Sequence, residues 1–309
     1  MHNLAFVFSG QGAQYSGMGR ELYEISPAAK SVFDLADTIR KETSQQCFYG
    51  TKEELTQTIN TQPCLYCVDL AAAKALREAG IIADAVAGFS LGELAALTFS
   101  GAIEEQEGFK LVCKRGELMD RAAQQLDSSM LAVLKLDNNT VEKICQKYTN
   151  IFPVNYNCPN QLVVAGLKDE IEEFKMDIKQ AGGRIVPLSV SGGFHSPFMQ
   201  QASEEFAEEL NNYLFSKATI PIYSNFTAQL YSEDAKELLV NQMKNPVRWQ
   251  QLIENMIAAG IEIFIEVGAG KTLSGLISKI SQNVKVYNVE DKASLEATLV
   301  ALKSSGVNE

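Results

Sequence analysis

Residues 81–97, Ile81-Ile82-Ala83-Asp84-Ala85-Val86-Ala87-Gly88-Phe89-Ser90-Leu91-Gly92-Glu93-Leu94-Ala95-Ala96-Leu97, read as a buried apolar strand, a tight turn and a helix. The turn Gly88-Phe89-Ser90-Leu91-Gly92 carries one hydroxyl between two glycines. In a nucleophile elbow the chain reverses so sharply that glycine alone is tolerated at the flanks. That turn lifts the serine Oγ clear of the sheet and aims the next N–H at a developing oxyanion. Small-residue turns that serve only packing share the pattern, so Ser90 needs a base from elsewhere in the chain to act as a nucleophile.

The 309 residues suffice for one large α/β domain or two smaller ones, and 46% hydrophobic with 21% charged residues is ordinary for a soluble globular enzyme. Twenty-seven Lys and Arg against 38 Asp and Glu give a net charge of −11, which excludes nucleic acid or an anionic membrane as the main partner. The apolar start meets Ser9-Gly10-Gln11-Gly12 too soon for a secretory core, and no apolar run reaches membrane-spanning length, so a cytoplasmic location is expected. Six cysteines are scattered at 47, 64, 67, 113, 145 and 158. The one C-x-x-C, Cys64 and Cys67, follows Pro63 at an expected helix start and has no second pair or histidine near it. Buried thiols, and no metal, are expected there.

Leu4-Ala5-Phe6-Val7-Phe8 is a short continuous apolar run of the kind a central parallel strand shows. The loop after it, Ser9 to Gln14, only mimics a dinucleotide fingerprint, because Tyr15 occupies the third glycine position. Gln11 there is either a plain turn residue or the source of a backbone N–H or side-chain amide for a site. Residues 31–80 read as helices with polar connectors. Residues 103–123 read as a helix with Phe109, Val112, Gly116 and Met119 on one stripe and Arg115 on or beside it. A buried arginine needs an anion, and two answers stand: an internal Asp or Glu, or a substrate carboxylate held in the guanidinium fork.

From residue 130 the elements shorten. Strands at 130–136, 152–156, 161–165 and 184–190, with helices at 140–148 and 168–181, follow the ferredoxin-like order β-α-β-β-α-β. Residues 128–193 are therefore expected to form a small domain inserted into a large one made of 1–127 and 194–309. His195 follows the insert at once. The only other histidine is His2, so if Ser90 uses an imidazole base, His195 is nearly the sole candidate, at a junction where clefts form. Further on, an acidic helix at 203–214, an edge-like strand at 220–225 and a core strand at 261–267 are expected. Gly268-Ala269-Gly270-Lys271-Thr272 mimics a phosphate loop, but Ile265 stands where its first glycine belongs. A helix from Leu273, a strand at 284–289 and an acidic, poorly ordered end complete the reading.

Six segments together, in order, resemble the malonyl-CoA:acyl carrier protein transacylases of fatty-acid and polyketide synthesis. They are Gly10-Gln11-Gly12-Ala13-Gln14, the Ser90 elbow, Arg115-Gly116-Glu117-Leu118-Met119, residues 191–199 with Phe194-His195-Ser196-Pro197, Gln242 with Asn245-Pro246-Val247-Arg248-Trp249, and Glu266-Val267-Gly268. The resemblance implies an α/β-hydrolase-like large domain with a parallel sheet and the inserted ferredoxin-like domain. It implies Ser90 as nucleophile, His195 as base and Gln242 as the residue that orients the histidine. Gln11 and Leu91 N–H groups would form the oxyanion hole, and Arg115 would hold the malonyl carboxylate. Malonyl-CoA and the acyl carrier protein would be the partners of a monomeric enzyme, with no cofactor beyond the thioester itself. Phe89 stands where the family usually has His, and Ala269 where it usually has Pro. Phe89 and Phe194 are expected to contact the acyl substrate, Phe194 as in malonyl-selective members. A hydrolase acting on acyl carriers at the same Ser-His pair is the alternative, and a non-catalytic scaffold a third reading. Because CoA, carrier and enzyme are all acidic, docking calls for a local basic patch, with Lys114, Arg184, Lys271 and Lys279 as candidates.

Overall fold

The computed structural model describes residues 3–231 and 234–304. Its strands, in chain order, are β1 (Asn3–Phe8), β2 (Ala85–Gly88), β3 (Ser128–Leu134), β4 (Ile151–Cys158), β5 (Gln161–Leu167), β6 (Arg184–Pro187), β7 (Ile222–Tyr223), β8 (Ile261–Val267) and β9 (Lys285–Val289). They form two sheets. The larger runs β7-β2-β1-β8-β9 with every pairing parallel. Its central strands are buried on both faces, which is why β1 and β2 read as unbroken apolar runs rather than alternating ones. The smaller sheet runs β4-β5-β3-β6, all antiparallel, with helices Asn138–Cys145 and Lys168–Gln180 in the ferredoxin-like connection.

Helix Thr58–Glu78 packs against the large sheet and is buried almost all round, from Thr61 to Leu76. Cys64 and Cys67 lie inside it as free, fully buried thiols. Pro63 sits within this helix rather than at its start, five residues after Thr58. Other boundaries also move. The strand expected at 81–87 begins at Ala85, because the chain leaves Gly80 with φ +88° and exposes Ile82 before joining the sheet. The strand from 184 stops at Pro187, an edge position paired with Leu131 where no ladder N–H is needed, and one further bond, Leu188 N–H to Met130 (3.0 Å), ends the contact with β3. The strand at 220–225 shrinks to Ile222–Tyr223 on the sheet edge. The end expected to be poorly ordered is a helix, Lys292–Ser304, anchored by buried Leu295, Thr298 and Leu302. Residues 305–309 lie outside the described residues.

Two connections bring the sheets together. After β6 the chain passes through residues 188–196, where a Cβ on Gly192 would stand 2.6 Å from that of Ala123 on helix Glu105–Gln125. The other is Asn245 to Trp249: Val247 N–H donates to Val154 (2.9 Å) and Tyr156 N–H donates to Val247 (2.9 Å), so this segment lies along β4. Arg248 N–H then donates to Asn225 (3.0 Å) at the end of the large sheet.

Candidate active site

The elbow is built by close approach. A Cβ on Gly88 would lie 2.0 Å from the carbonyl carbon of Gly92, and one on Gly92 would lie 2.4 Å from the Phe8 oxygen. Both positions admit only hydrogen, and the strain falls on Ser90, whose φ of +54° costs a non-glycine residue about 1 kcal/mol or more. Asn225 holds that turn. Its Oδ1 accepts from Ser90 N–H (2.7 Å) and its Nδ2 donates to the Gly88 carbonyl (2.6 Å). Phe89 N–H donates to Phe8 (3.0 Å), pinning the elbow to β1.

His195 also has left-handed backbone, φ +59°. Ser196 holds it there, donating its hydroxyl to Gly193 (2.6 Å), while Gly193 N–H donates to Ser128 Oγ (2.9 Å). The ring joins Ser90 Oγ at Nε2 (2.7 Å) and the main-chain carbonyl of Gln242 at Nδ1 (2.8 Å). A carbonyl only accepts, so Nδ1 carries the hydrogen and the Nε2 lone pair faces the serine. Burial, and then the nearby Arg115 cation, hold the imidazole down to about 3, so it is neutral and free to take a proton.

Arg115 is buried, yet among the described residues no carboxylate touches it. It donates to Gln62 Oε1 (2.8 Å), Gln242 Oε1 (2.7 Å) and Ser90 Oγ (3.2 Å), and its Nε has no partner. Burial lowers it to about 10, and Glu93 offsets part of that shift. The guanidinium thus rests on neutral acceptors beside the nucleophile, and the internal Asp or Glu that would answer its burial is not among its contacts.

The loop after β1 lies against the elbow, since a Cβ on Gly10 would stand 2.8 Å from the Phe89 oxygen. Gln11 ties its side chain to Thr58 Oγ1 (3.1 Å), and neither its N–H nor that of Leu91 makes a hydrogen bond among the described residues. Leu91 is also the first residue before helix Gly92–Phe99, where free N–H groups gather. Phe89 packs edge-on against Trp249 (5.4 Å) and lines a cleft of about 240 Å³ with Gly10, Gln11, Asn155, Asn157, Gln161 and Leu276. Phe194 is buried in the main core beside His195. His2 lies outside the described residues.

A family model described as the acyl transferase domain matches residues 5–297. The malonyl CoA-acyl carrier protein transacylase of Bacillus subtilis (strain 168) is 39% identical over the whole of both chains. The chain belongs to the malonyl-CoA:acyl carrier protein transacylase family. Its structure is similar to that of the transacylase of Clostridium perfringens, with TM-score 0.95 and 38% identity over 99% of this chain and 98% of that one. It is also similar, with TM-score 0.92 and 32% identity over 97% of this chain and 99% of that one, to a malonyl-transacylase solved in complex with a type II polyketide synthase acyl-carrier protein.

Within this transacylase fold, Gln242 departs from the simplest expectation. Its backbone carbonyl holds the histidine, while its side chain does other work: Nε2 donates to the Ser90 carbonyl (2.7 Å) and to Glu93 Oε2 (2.8 Å), and Oε1 accepts from Arg115. Sequence reasoning missed Asn225, Glu93 and Gln62. Asn225 sat at the end of a short edge strand and Glu93 in the first turn of a helix, where acidic residues are commonplace, so neither carried a local signal. Glu266 of the late motif accepts from Leu273 (2.9 Å) and Ser274 (2.7 Å) N–H groups, which fills the helix end that mimicked a phosphate loop with an internal carboxylate. Among the described residues no group of three His, Cys, Asp or Glu could hold a metal, and no helix is long and apolar enough to cross a membrane.

Proposed function

We propose that this transacylase moves malonyl from malonyl-CoA to the phosphopantetheine thiol of an acyl carrier protein through a malonyl ester on Ser90. The observation that carries the proposal is the buried Arg115 sharing the Ser90 hydroxyl with a neutral imidazole. In the first half, Ser90 Oγ attacks the thioester carbonyl as His195 Nε2 takes its proton. The tetrahedral oxyanion is held by Gln11 and Leu91 N–H groups. The C–S bond breaks, and His195 returns the proton to the departing CoA sulfur. In the second half His195 takes the proton of the pantetheine thiol, the thiolate attacks the ester, the C–O bond breaks and the proton returns to Ser90. Arg115 holds the malonyl carboxylate throughout.

Side chains and the two thiols balance every proton and electron pair, so the exchange calls on no resident cofactor. Gln242 holds the base with a neutral carbonyl, a weaker support than a carboxylate and one suited to thiol exchange. A hydrolase of neutral acyl chains gains nothing from a buried cation at its serine. The proposal extends to a division of the chain at 128–193, supported by β3 to β6 all falling inside it, and to a cytoplasmic enzyme. Carrier docking falls to the rim of the cleft, where Lys271 is exposed beside Thr272 and Lys279 reaches Gln161 (3.4 Å); Lys114 is paired with Glu117. Mass spectrometry after mixing with malonyl-CoA tests the core of this: one malonyl group should appear on Ser90 and be discharged by carrier bearing phosphopantetheine. Labelling that persists in Ser90→Ala would overturn it.

A further inference from the structure

Glu93, three residues after the nucleophile, is completely buried, and the transfer chemistry described above gives it no task. Its carboxylate is surrounded by donors. Tyr231 hydroxyl (2.5 Å) donates to Oε1, Gln242 Nε2 (2.8 Å) to Oε2, and Asn225 N–H to both (3.3 and 3.2 Å). Each donor but the tyrosine then leads to the site. Asn225 grips the elbow on both sides of the turn. Gln242 offers its main-chain carbonyl to His195 and its amide oxygen to Arg115. The amide of Gln242 therefore stands between a carboxylate and a guanidinium, oxygen toward the cation and nitrogen toward the anion.

We propose that Glu93 is a positioning residue, whose ionised carboxylate fixes Asn225 and the Gln242 amide and so aligns Ser90, His195 and Arg115 as one unit. The inference rests on the proposed transacylase chemistry only for the part played by Arg115. Because Glu93 reaches Arg115 through an amide rather than by contact, it supplies a counter-charge without occupying the fork that the substrate needs. Protonation would add a hydrogen that only the Tyr231 hydroxyl can accept, and then only by giving up its own donation. The charged form is thus the one the shell fits, while burial pulls the other way and raises the carboxyl to about 7. Among the groups around it, His195 is held near 3, Arg115 near 10 and Tyr231 is pushed well up, so Glu93 alone of these titrates near neutrality.

The test uses Glu93→Gln, which keeps the shape and removes the charge, and follows Ser90 with a fluorophosphonate serine probe as well as malonyl transfer. The expected result is a folded protein whose probe labelling and kcat both fall about 10- to 100-fold, with KM for malonyl-CoA changed less than about threefold. The wild-type labelling rate should fall with acid along a limb near pH 7, and Glu93→Gln should lack that limb. A wild-type labelling rate, or an unchanged limb, in Glu93→Gln overturns the proposal. Should that variant fail to fold, Tyr231→Phe is read instead: losing a donor to the carboxylate should move the limb to higher pH, and an unmoved limb overturns the proposal. A wild-type enzyme that labels with the probe but does not transfer malonyl would sink the proposed function and leave this comparison standing.

Discussion

The guanidinium of Arg115 lies 3.2 Å from Ser90 Oγ, the same oxygen that His195 Nε2 approaches at 2.7 Å. One hydroxyl thus faces a cation and a base together. After burial, the cation is what depresses the base, and a carboxylate that neutralised Arg115 would relieve that part of the effect.

Arg115→Met should therefore separate substrates. Malonyl transfer should drop by about 100-fold or more through loss of a buried charge-assisted pair, while acetyl transfer stays equal or improves. Parallel assays with malonyl-CoA and acetyl-CoA check this, and an equal loss on both would mean the arginine only supports the fold.

Gln242 and His195 should not be equivalent. His195→Ala removes the proton acceptor and should slow acylation of Ser90 by about 1,000-fold, in the range general-base catalysis supplies. Gln242→Ala keeps the main-chain carbonyl that holds the imidazole and should cost nearer 10-fold, about the price of one misplaced partner. Single-turnover acylation measures both, and equal losses would contradict the division between backbone and side chain.

Stability should depend on pH through His195. Its folded value of about 3 lies below the ordinary 6.5, so its contribution is fully present above 6.5 and is lost as pH falls toward 3. The full effect is on the order of 5 kcal/mol. Glu93 acts oppositely: raised from 4.5 to about 7, it favours the fold below 4.5 and loses that contribution as pH rises through 7. Melting temperatures of His195→Gln, set against wild type between about pH 4 and 7, should converge with acid. A constant gap would show that the imidazole is not held neutral.

Gly92→Ala should fail structurally. Its Cβ would stand 2.4 Å from the Phe8 oxygen and 2.5 Å from that of Ser9, both rigid backbone, so a loss of about 3 kcal/mol or more is expected. Denaturant unfolding tests it, and a variant as stable as wild type would mean the elbow has room to open.

Much of this was legible along the chain. The apolar run of β1, the glycines around Ser90 and the β-α-β-β-α-β order are local patterns set by strand and helix periodicity, and they determined the fold class and the candidate nucleophile; the count of two histidines pointed to His195, and the family resemblance gave Arg115 its expected role. Boundaries were less legible where the backbone turned before the apolar run ended, as at Gly80, whose φ of +88° leaves Ile82 exposed ahead of β2. The tertiary structure alone decided what each group touches. Ser90 meets His195 across 105 residues, its N–H meets Asn225 across 135, and Arg115 meets Gln242 across 127. Such bonds depend on where a sheet edge, an insert and a late helix converge, and no spacing in the sequence records that convergence. Hence Gln242 could be named from its motif, but only the folded chain shows that its backbone holds the base while its side chain stands between Glu93 and Arg115.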